Sequence, residues 1–140
     1  MTSKEGAMTE DGATRRDAAR RYGYLAARVM LAAIFVVTGL DKLADPQDAA
    51  ADIGGAGLPA PFLLAVVAGV VEVVCGVLLA VGRRADWAAA GLVLFMLPVT
   101  VLLENPLASP GDFGALIDFL KNLAIMGGLL MVVLWRRGAH

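Results

Sequence analysis

Four long apolar segments divide this sequence, and they limit what it can fold into more than any other feature does. They run from about Tyr22 to Leu43, Phe62 to Gly82, Trp87 to Leu103 and Phe113 to Trp135. A helix needs about 20 residues to cross the ~30 Å hydrocarbon core of a bilayer, and about 17 to 25 are tolerated. Strands are not expected, because Ala, Leu and Gly dominate and no period-2 alternation persists. We therefore predict an all-α, four-helix transmembrane bundle.

The composition supports a membrane protein. Hydrophobic residues make up 59% and charged residues 18% of the 140 residues, whereas soluble domains have roughly 45–50% and 25%. These values exclude intrinsic disorder, and a single cysteine, Cys75, excludes a disulfide scaffold. The net charge of −1 gives no reason to expect a nucleic-acid partner.

The distribution of basic residues predicts the topology. Lys and Arg lie before the first segment, between the second and third, and after the fourth, whereas connectors 44–61 and 104–112 contain neither. Basic loops stay on the cytoplasmic side. We therefore predict an antiparallel up-down bundle with both termini cytoplasmic. Residues 1–21 are predicted to form a polar, mobile cytoplasmic tail, and residues 22–137 the membrane domain.

Charged residues interrupt three of the four segments, and each shares a helical face with small or apolar residues. A charge at the centre of a membrane helix costs about 2.5–3.5 kcal/mol on insertion scales, so such residues usually face protein. The predicted faces are Arg28, Ala32, Phe35, Gly39 and Lys42 on the first helix; Ala65, Gly69, Glu72, Gly76 and Ala80 on the second; and Gly114, Asp118, Lys121, Ile125, Gly128 and Val132 on the fourth.

From depth along the helices we predict one buried polar site. Glu72 pairs with Lys121 in this interpretation, and Arg28 reaches toward Glu72 from the cytoplasmic side. Asp118 lies one turn from Lys121, and Asn122 adds an amide. The four charges sum to zero, as a buried ionised network requires. Two hypotheses stay open: a structural clasp that fixes helix register, or a proton path, an anion or quinone pocket, or a substrate groove.

No intrinsic catalytic machinery is visible in the sequence. The single histidine is the terminal His140, so no internal haem or zinc ligand set and no serine triad can be assembled. No phosphate-binding glycine motif is present. We expect no metal site, and at most a subunit of an oxidoreductase complex.

Five short stretches resemble the DoxX family of small four-helix bacterial and archaeal membrane proteins. They are Arg28-Val-Met-Leu-Ala-Ala-Ile-Phe-Val-Val-Thr-Gly-Leu-Asp-Lys-Leu, Gly57-Leu-Pro, Glu72-Val-Val-Cys-Gly, Leu94-Phe-Met-Leu-Pro and Phe119-Leu-Lys-Asn-Leu-Ala-Ile-Met-Gly-Gly. The resemblance covers roughly residues 22–135 and implies a component of membrane redox systems, some with thiosulfate:quinone oxidoreductase, sulfurtransferase or superoxide dismutase partners. The loop that often begins with His-Asn and an aromatic pair reads Glu104-Asn105-Pro106-Leu107 here.

The leading functional hypothesis is an accessory or anchoring subunit of a quinone-linked redox or sulfur-oxidation complex in the prokaryotic cell (inner) membrane. A quinone is expected near Lys121 and Asn122, which supply hydrogen-bond donors. The expected partners are the lipid bilayer and redox or sulfurtransferase proteins, with a second copy of the chain as a further candidate. The alternatives are a proton-coupled transporter or permease in which Glu72 titrates, and a structural scaffold without chemistry.

Overall fold

The computed structural model describes residues 2–138, with side chains at residue 6 and residues 8–138, and His140 lies outside this range. It consists of α1 (Thr2–Ala44), α2 (Pro46–Gly55), α3 (Pro61–Val81), α4 (Ala85–Leu103) and α5 (Phe113–Gly138), and residues 2–138 contain no strand. All but α2 contain segments long and apolar enough to cross a membrane. The prediction of an all-α bundle with four membrane helices is confirmed, whereas the cytoplasmic placement of the termini stays a prediction.

Two helical stretches were not anticipated. The polar segment that we predicted as a mobile tail continues α1 back to Thr2, since it is rich in good helix formers and carries an Asp11–Arg15 pair one turn apart. In the first connector, Pro46 at the first position and the Asp45 carboxylate, which accepts from the Gln47 N–H at 3.1 Å, start the short helix α2.

The membrane helices form a ring that is weakly closed on one side. α1 packs on α3, α3 on α4 and α4 on α5, while α1 and α5 touch only sparsely. Leu79, Leu92 and Leu129 are fully buried in the centre. Most other large apolar side chains point outward, as expected of helices surrounded by lipid.

Small residues bring α1 and α3 into backbone contact. A Cβ atom added at Gly39 would lie 2.8 Å from the Gly69 carbonyl oxygen, and one added at Gly76 would lie 3.2 Å from the Val36 nitrogen. Such close approach is typical of membrane helix pairs with small residues at the interface. The predicted faces on the first two helices are confirmed, because both point into this contact.

The predicted face on the last helix is correct at Val132, which is buried, and wrong at its two charged residues. Asp118 and Lys121 are exposed, whereas Asn122, Met126 and Leu129 are buried against the bundle. The reason is that α5 packs mainly on α4 and leaves its Lys121 side at the weakly closed contact with α1.

Candidate functional site

Glu72 is the carboxylate buried at the contact between α1 and α3. Its side chain is only 8% exposed, and its Oε2 atom accepts hydrogen bonds from Thr38 Oγ1 at 2.9 Å and Lys42 Nζ at 3.1 Å. Helical side chains lean toward the N-terminus, so the Lys42 side chain extends back over Thr38 to reach Glu72. We call Thr38, Lys42 and Glu72 the first polar clasp, which satisfies a charge inside the membrane helices with a cation and a hydroxyl.

A second polar clasp joins α4 to α5 and consists of Thr100, Glu104 and Asn122. The buried Asn122 donates from Nδ2 to Thr100 Oγ1 at 3.2 Å and to Glu104 Oε2. The two clasps have the same arrangement. In each, a threonine and a charged residue four positions later contact one polar side chain of the next membrane helix. Each ties one pair of membrane helices together.

Lys42 of the first clasp and Glu104 of the second lie at the helix ends that lead into the acidic connectors. Burial raises the pKa of Glu104, and the nearby charges of Asp118 and Asp52 raise it further. The ammonium groups of Lys121 and Lys42 act in the opposite direction. Since Lys42 belongs to the first clasp and Glu104 to the second, the two clasps are electrostatically coupled.

Glu104 should make stability depend on pH. Because its pKa is raised, the folded protein binds this proton more tightly than the unfolded chain, so stability falls as pH rises from the ordinary value near 4.5 toward the raised pKa. Glu104→Gln keeps an oxygen acceptor for Asn122 and should flatten this slope. Melting temperatures in detergent between pH 4.5 and 8 test it, with Glu10→Gln on the exposed first part of α1 as the control. Equal slopes for all three proteins would contradict the assignment.

Lys121 pairs with Asp118 on its own helix and not with Glu72. The Nζ–Oδ1 distance is 2.8 Å, and the two side chains are 51% and 52% exposed. A lysine side chain that leans toward the N-terminus of α5 meets the carboxylate one turn earlier, and this local partner replaces the predicted contact across the bundle.

A lipid-facing groove runs between α1 and α5 and reaches Lys121. Its volume is about 760 Å³, and its lining is almost entirely apolar apart from Arg20, Tyr24, Lys121 and Trp135. Lys121 and Trp135 mark positions along α5 that are about 21 Å apart by helical rise. We call it the α1–α5 groove. Its central apolar lining comprises Ala27, Met30, Leu31, Ile34, Ile125, Gly128, Met131 and Val132.

Arg28 serves the opposite end of the bundle and does not contact Glu72. Its Nη2 atom donates to the Ala80 carbonyl at 3.3 Å, and Arg136 donates to the Gly82 carbonyl at 3.2 Å. Gly82 has φ +85°, and a Cβ there would lie 2.6 Å from Arg28 Nη1. The two arginines therefore satisfy carbonyls at the C-terminal end of α3, where the helix dipole favours cations.

The five residues predicted as one site thus occupy four places. Glu72 lies in the first clasp, Asn122 in the second, Lys121 and Asp118 beside the groove, and Arg28 at the basic end. The five residues do not form the predicted charge-neutral cluster, because each has other partners: Lys42 and Thr38 for Glu72, Thr100 and Glu104 for Asn122, Asp118 for Lys121, and the Ala80 carbonyl for Arg28. The functional role of these residues stays a prediction.

Sequence reasoning missed four residues of the clasps: Thr38, Lys42, Thr100 and Glu104. Lys42 was on the predicted face of the first helix but was not assigned to Glu72. Thr38, one turn before Lys42, could have indicated that polar groups cluster at this position. Thr100 and Glu104 have the same spacing at the end of the third segment. Glu104 was counted as part of the connector, which hid its role.

Comparison with known proteins points to one family. A family model described as DoxX matches residues 23–105, which include the second half of α1 and all of α2, α3 and α4. The inner membrane protein YphA of Escherichia coli (strain K12) is 28% identical over 124 residues, which cover 87% of this chain and 89% of YphA. No solved structure matches the chain.

Proposed function

The chain belongs to the DoxX family, and we propose that it is a quinone-binding subunit that anchors a soluble redox or sulfurtransferase partner at the cell (inner) membrane. Its four membrane helices and its similarity to an inner membrane protein support the location. The partner and the quinone come from what the DoxX resemblance implies. The α1–α5 groove is the observation that carries the proposal.

The groove fits an amphipathic molecule with a long apolar tail. It is open to lipid along α1 and α5, so a membrane-dissolved ligand can enter sideways without crossing the bundle. Lys121 supplies hydrogen-bond donors at the end of the groove near the acidic connectors. Its ammonium group also pairs with the Asp118 carboxylate at 2.8 Å. The central lining of the groove is apolar and suits an isoprenoid tail.

The residues of this chain bind and orient the ligand in this proposal. Lys121 Nζ donates to a quinone oxygen, and a hydrogen bond from a charged donor contributes about 1.5–3 kcal/mol. Asn122 does not donate to the quinone, because its amide N–H groups already donate to Thr100 and Glu104. A quinone supplies two-electron chemistry when bound, and the soluble partner exchanges electrons with it.

Quinone binding should quench a tryptophan placed at Ile117, one turn before Lys121 on α5 and exposed outside the groove lining. The chain has two tryptophans, so Ile117→Trp in a Trp87→Phe, Trp135→Phe background is the only emitter. With a quinone that carries two isoprene units, quenching in detergent should saturate. Lys121→Met should weaken this binding about tenfold, corresponding to the loss of one charged hydrogen bond.

Two neighbouring glycines give the matched control. A side chain at Gly128 would meet Leu31 across the groove at 3.1 Å, whereas one at Gly127 meets nothing within 4 Å. Gly128→Leu should therefore abolish saturable quenching, and Gly127→Leu should preserve it. Quenching that rises linearly with quinone concentration in every variant would mean partition into detergent, and would overturn the quinone site.

The anchoring role is tested separately by native mass spectrometry of the assembly extracted in a mild detergent. A redox or sulfurtransferase protein bound in fixed stoichiometry is the expected result. A bare monomer or homodimer would contradict anchoring and leave the quinone assay unaffected.

A proton-coupled transporter is the second candidate, and Glu72 is the observation that favours it. A buried carboxylate in a membrane helix is a common element of proton relays. Uptake by proteoliposomes that depends on pH and disappears in Glu72→Gln would favour transport over quinone binding.

A further inference from the structure

A second cavity with a volume of about 720 Å³ lies at the basic end of the α1–α5 groove. Arg20, Met131 and Trp135 line both spaces, so the cavity and the groove are continuous. We call this cavity the basic mouth. Its other lining residues are Asp17, Arg21, Leu134 and Gly138.

The guanidinium of Arg20 is held in place but keeps its hydrogen-bonding edge free. Its Cζ atom lies 5.0 Å from the ring centroid of Trp135, which in turn stacks on Tyr24 at 5.5 Å with an interplanar angle of 16°. A cation–π contact uses the face of a guanidinium and leaves its N–H groups available for an oxyanion. Arg20 and Arg21 form no ion pair with any side chain that the structure describes.

The lining of the basic mouth defines the chemistry of an occupant. Arg20 and Arg21 outnumber the single carboxylate, Asp17, so the basic mouth has a net positive charge. Beside these charges, Met131 and Leu134 expose apolar surface. A ligand with an anionic head and apolar chains matches both parts. A second copy of the chain that docked through the same surface would be a poor occupant, because its Arg20 and Arg21 would lie against the Arg20 and Arg21 of the first copy.

We propose that the basic mouth binds an anionic phospholipid. The phosphate accepts hydrogen bonds from Arg20, with Arg21 adding positive charge, while the acyl chains lie against Met131 and Leu134. This inference goes beyond the quinone proposal and does not depend on it, because the phosphate lies at the end of the groove opposite to Lys121.

The test measures lipid retained by the full-length protein in detergent by native mass spectrometry, with phosphatidylglycerol or phosphatidylcholine added in equal amounts. The wild type should retain phosphatidylglycerol in preference to phosphatidylcholine. Arg20→Gln should reduce this preference about fivefold, the effect of one cation near an anionic headgroup. Arg20→Lys keeps the charge but loses the guanidinium edge held over Trp135, so its preference should lie between those of the wild type and Arg20→Gln.

Arg137→Gln is the matched control, because it removes the same charge from the last turn of α5 without touching the basic mouth. It should retain lipid like the wild type. Equal loss in Arg20→Gln and Arg137→Gln would overturn the site in favour of general attraction to a basic surface. Equal retention of both lipids, wild-type preference in Arg20→Gln, or a lipid-free wild-type dimer would overturn it as well.

Discussion

Gly39→Ala should lower the free energy of unfolding by about 3 kcal/mol, the upper end of the range for overpacking, although it adds only one methyl group. The new Cβ would lie 2.8 Å from the Gly69 carbonyl oxygen and 2.9 Å from Glu72 Cβ. Backbone atoms on α3 cannot move aside as a flexible side chain can, so α1 and α3 must separate. Unfolding by SDS titration, or thermal melting in detergent, measures the loss.

Gly91→Ala and Gly127→Ala are the controls for this prediction. Both glycines lie inside membrane helices, and a Cβ at either position would meet nothing within 4 Å. Alanine is a better helix former than glycine by about 1 kcal/mol in water, so these variants should be unchanged or slightly more stable. A loss equal to that of Gly39→Ala would show that glycine flexibility, and not helix approach, determines stability.

Lys42→Met should destabilise the protein by about 3 kcal/mol or more, because it leaves the Glu72 carboxylate buried with only a hydroxyl partner. Removing one partner of a buried ion pair lowers stability strongly, because the other charge is left buried and unpaired. Replacing both partners with apolar residues is often tolerated. Lys42→Met combined with Glu72→Leu should therefore recover much of the loss. Thermal melting of the two single variants and the double variant measures the coupling.

Lys121→Met provides the contrast, since its pair with Asp118 is about half exposed at both side chains. Exposed pairs contribute only about 0–1 kcal/mol, so this variant should melt close to the wild type. If Lys42→Met and Lys121→Met had equal effects, the first clasp would not be the buried charge pair that holds α1 on α3.

The fold was largely predictable because it depends on coarse properties. The lengths of apolar segments determine which helices can span a bilayer, and the small-residue face around Glu72 correctly indicated close helix contact. The helical first part of α1 and the helix α2 were not predicted. Both are polar or short, so their conformation depends on local capping and side-chain pairs more than on hydropathy.

The site was less predictable because differences of a few ångströms in side-chain reach decide which charged residues form ion pairs. Periodicity correctly placed Glu72 in the interior but could not choose between Lys42 and Lys121 as its cation. The direction in which helical side chains lean favours Lys42, and the same rule gives Lys121 its partner Asp118. The rotation of α5 follows from its packing on α4, which one sequence does not reveal.

The two polar clasps have a consequence for how the chain assembles. Each lies within one pair of consecutive membrane helices, α1 with α3 and α4 with α5. The first pair therefore contains every partner that Glu72 needs before the second pair has been synthesised. An unpaired charge is costly in a membrane, so the newly made first half already satisfies the Glu72 carboxylate when it leaves the translocation machinery. The second half then adds its own clasp and joins the first through apolar packing and the Arg136–Gly82 hydrogen bond.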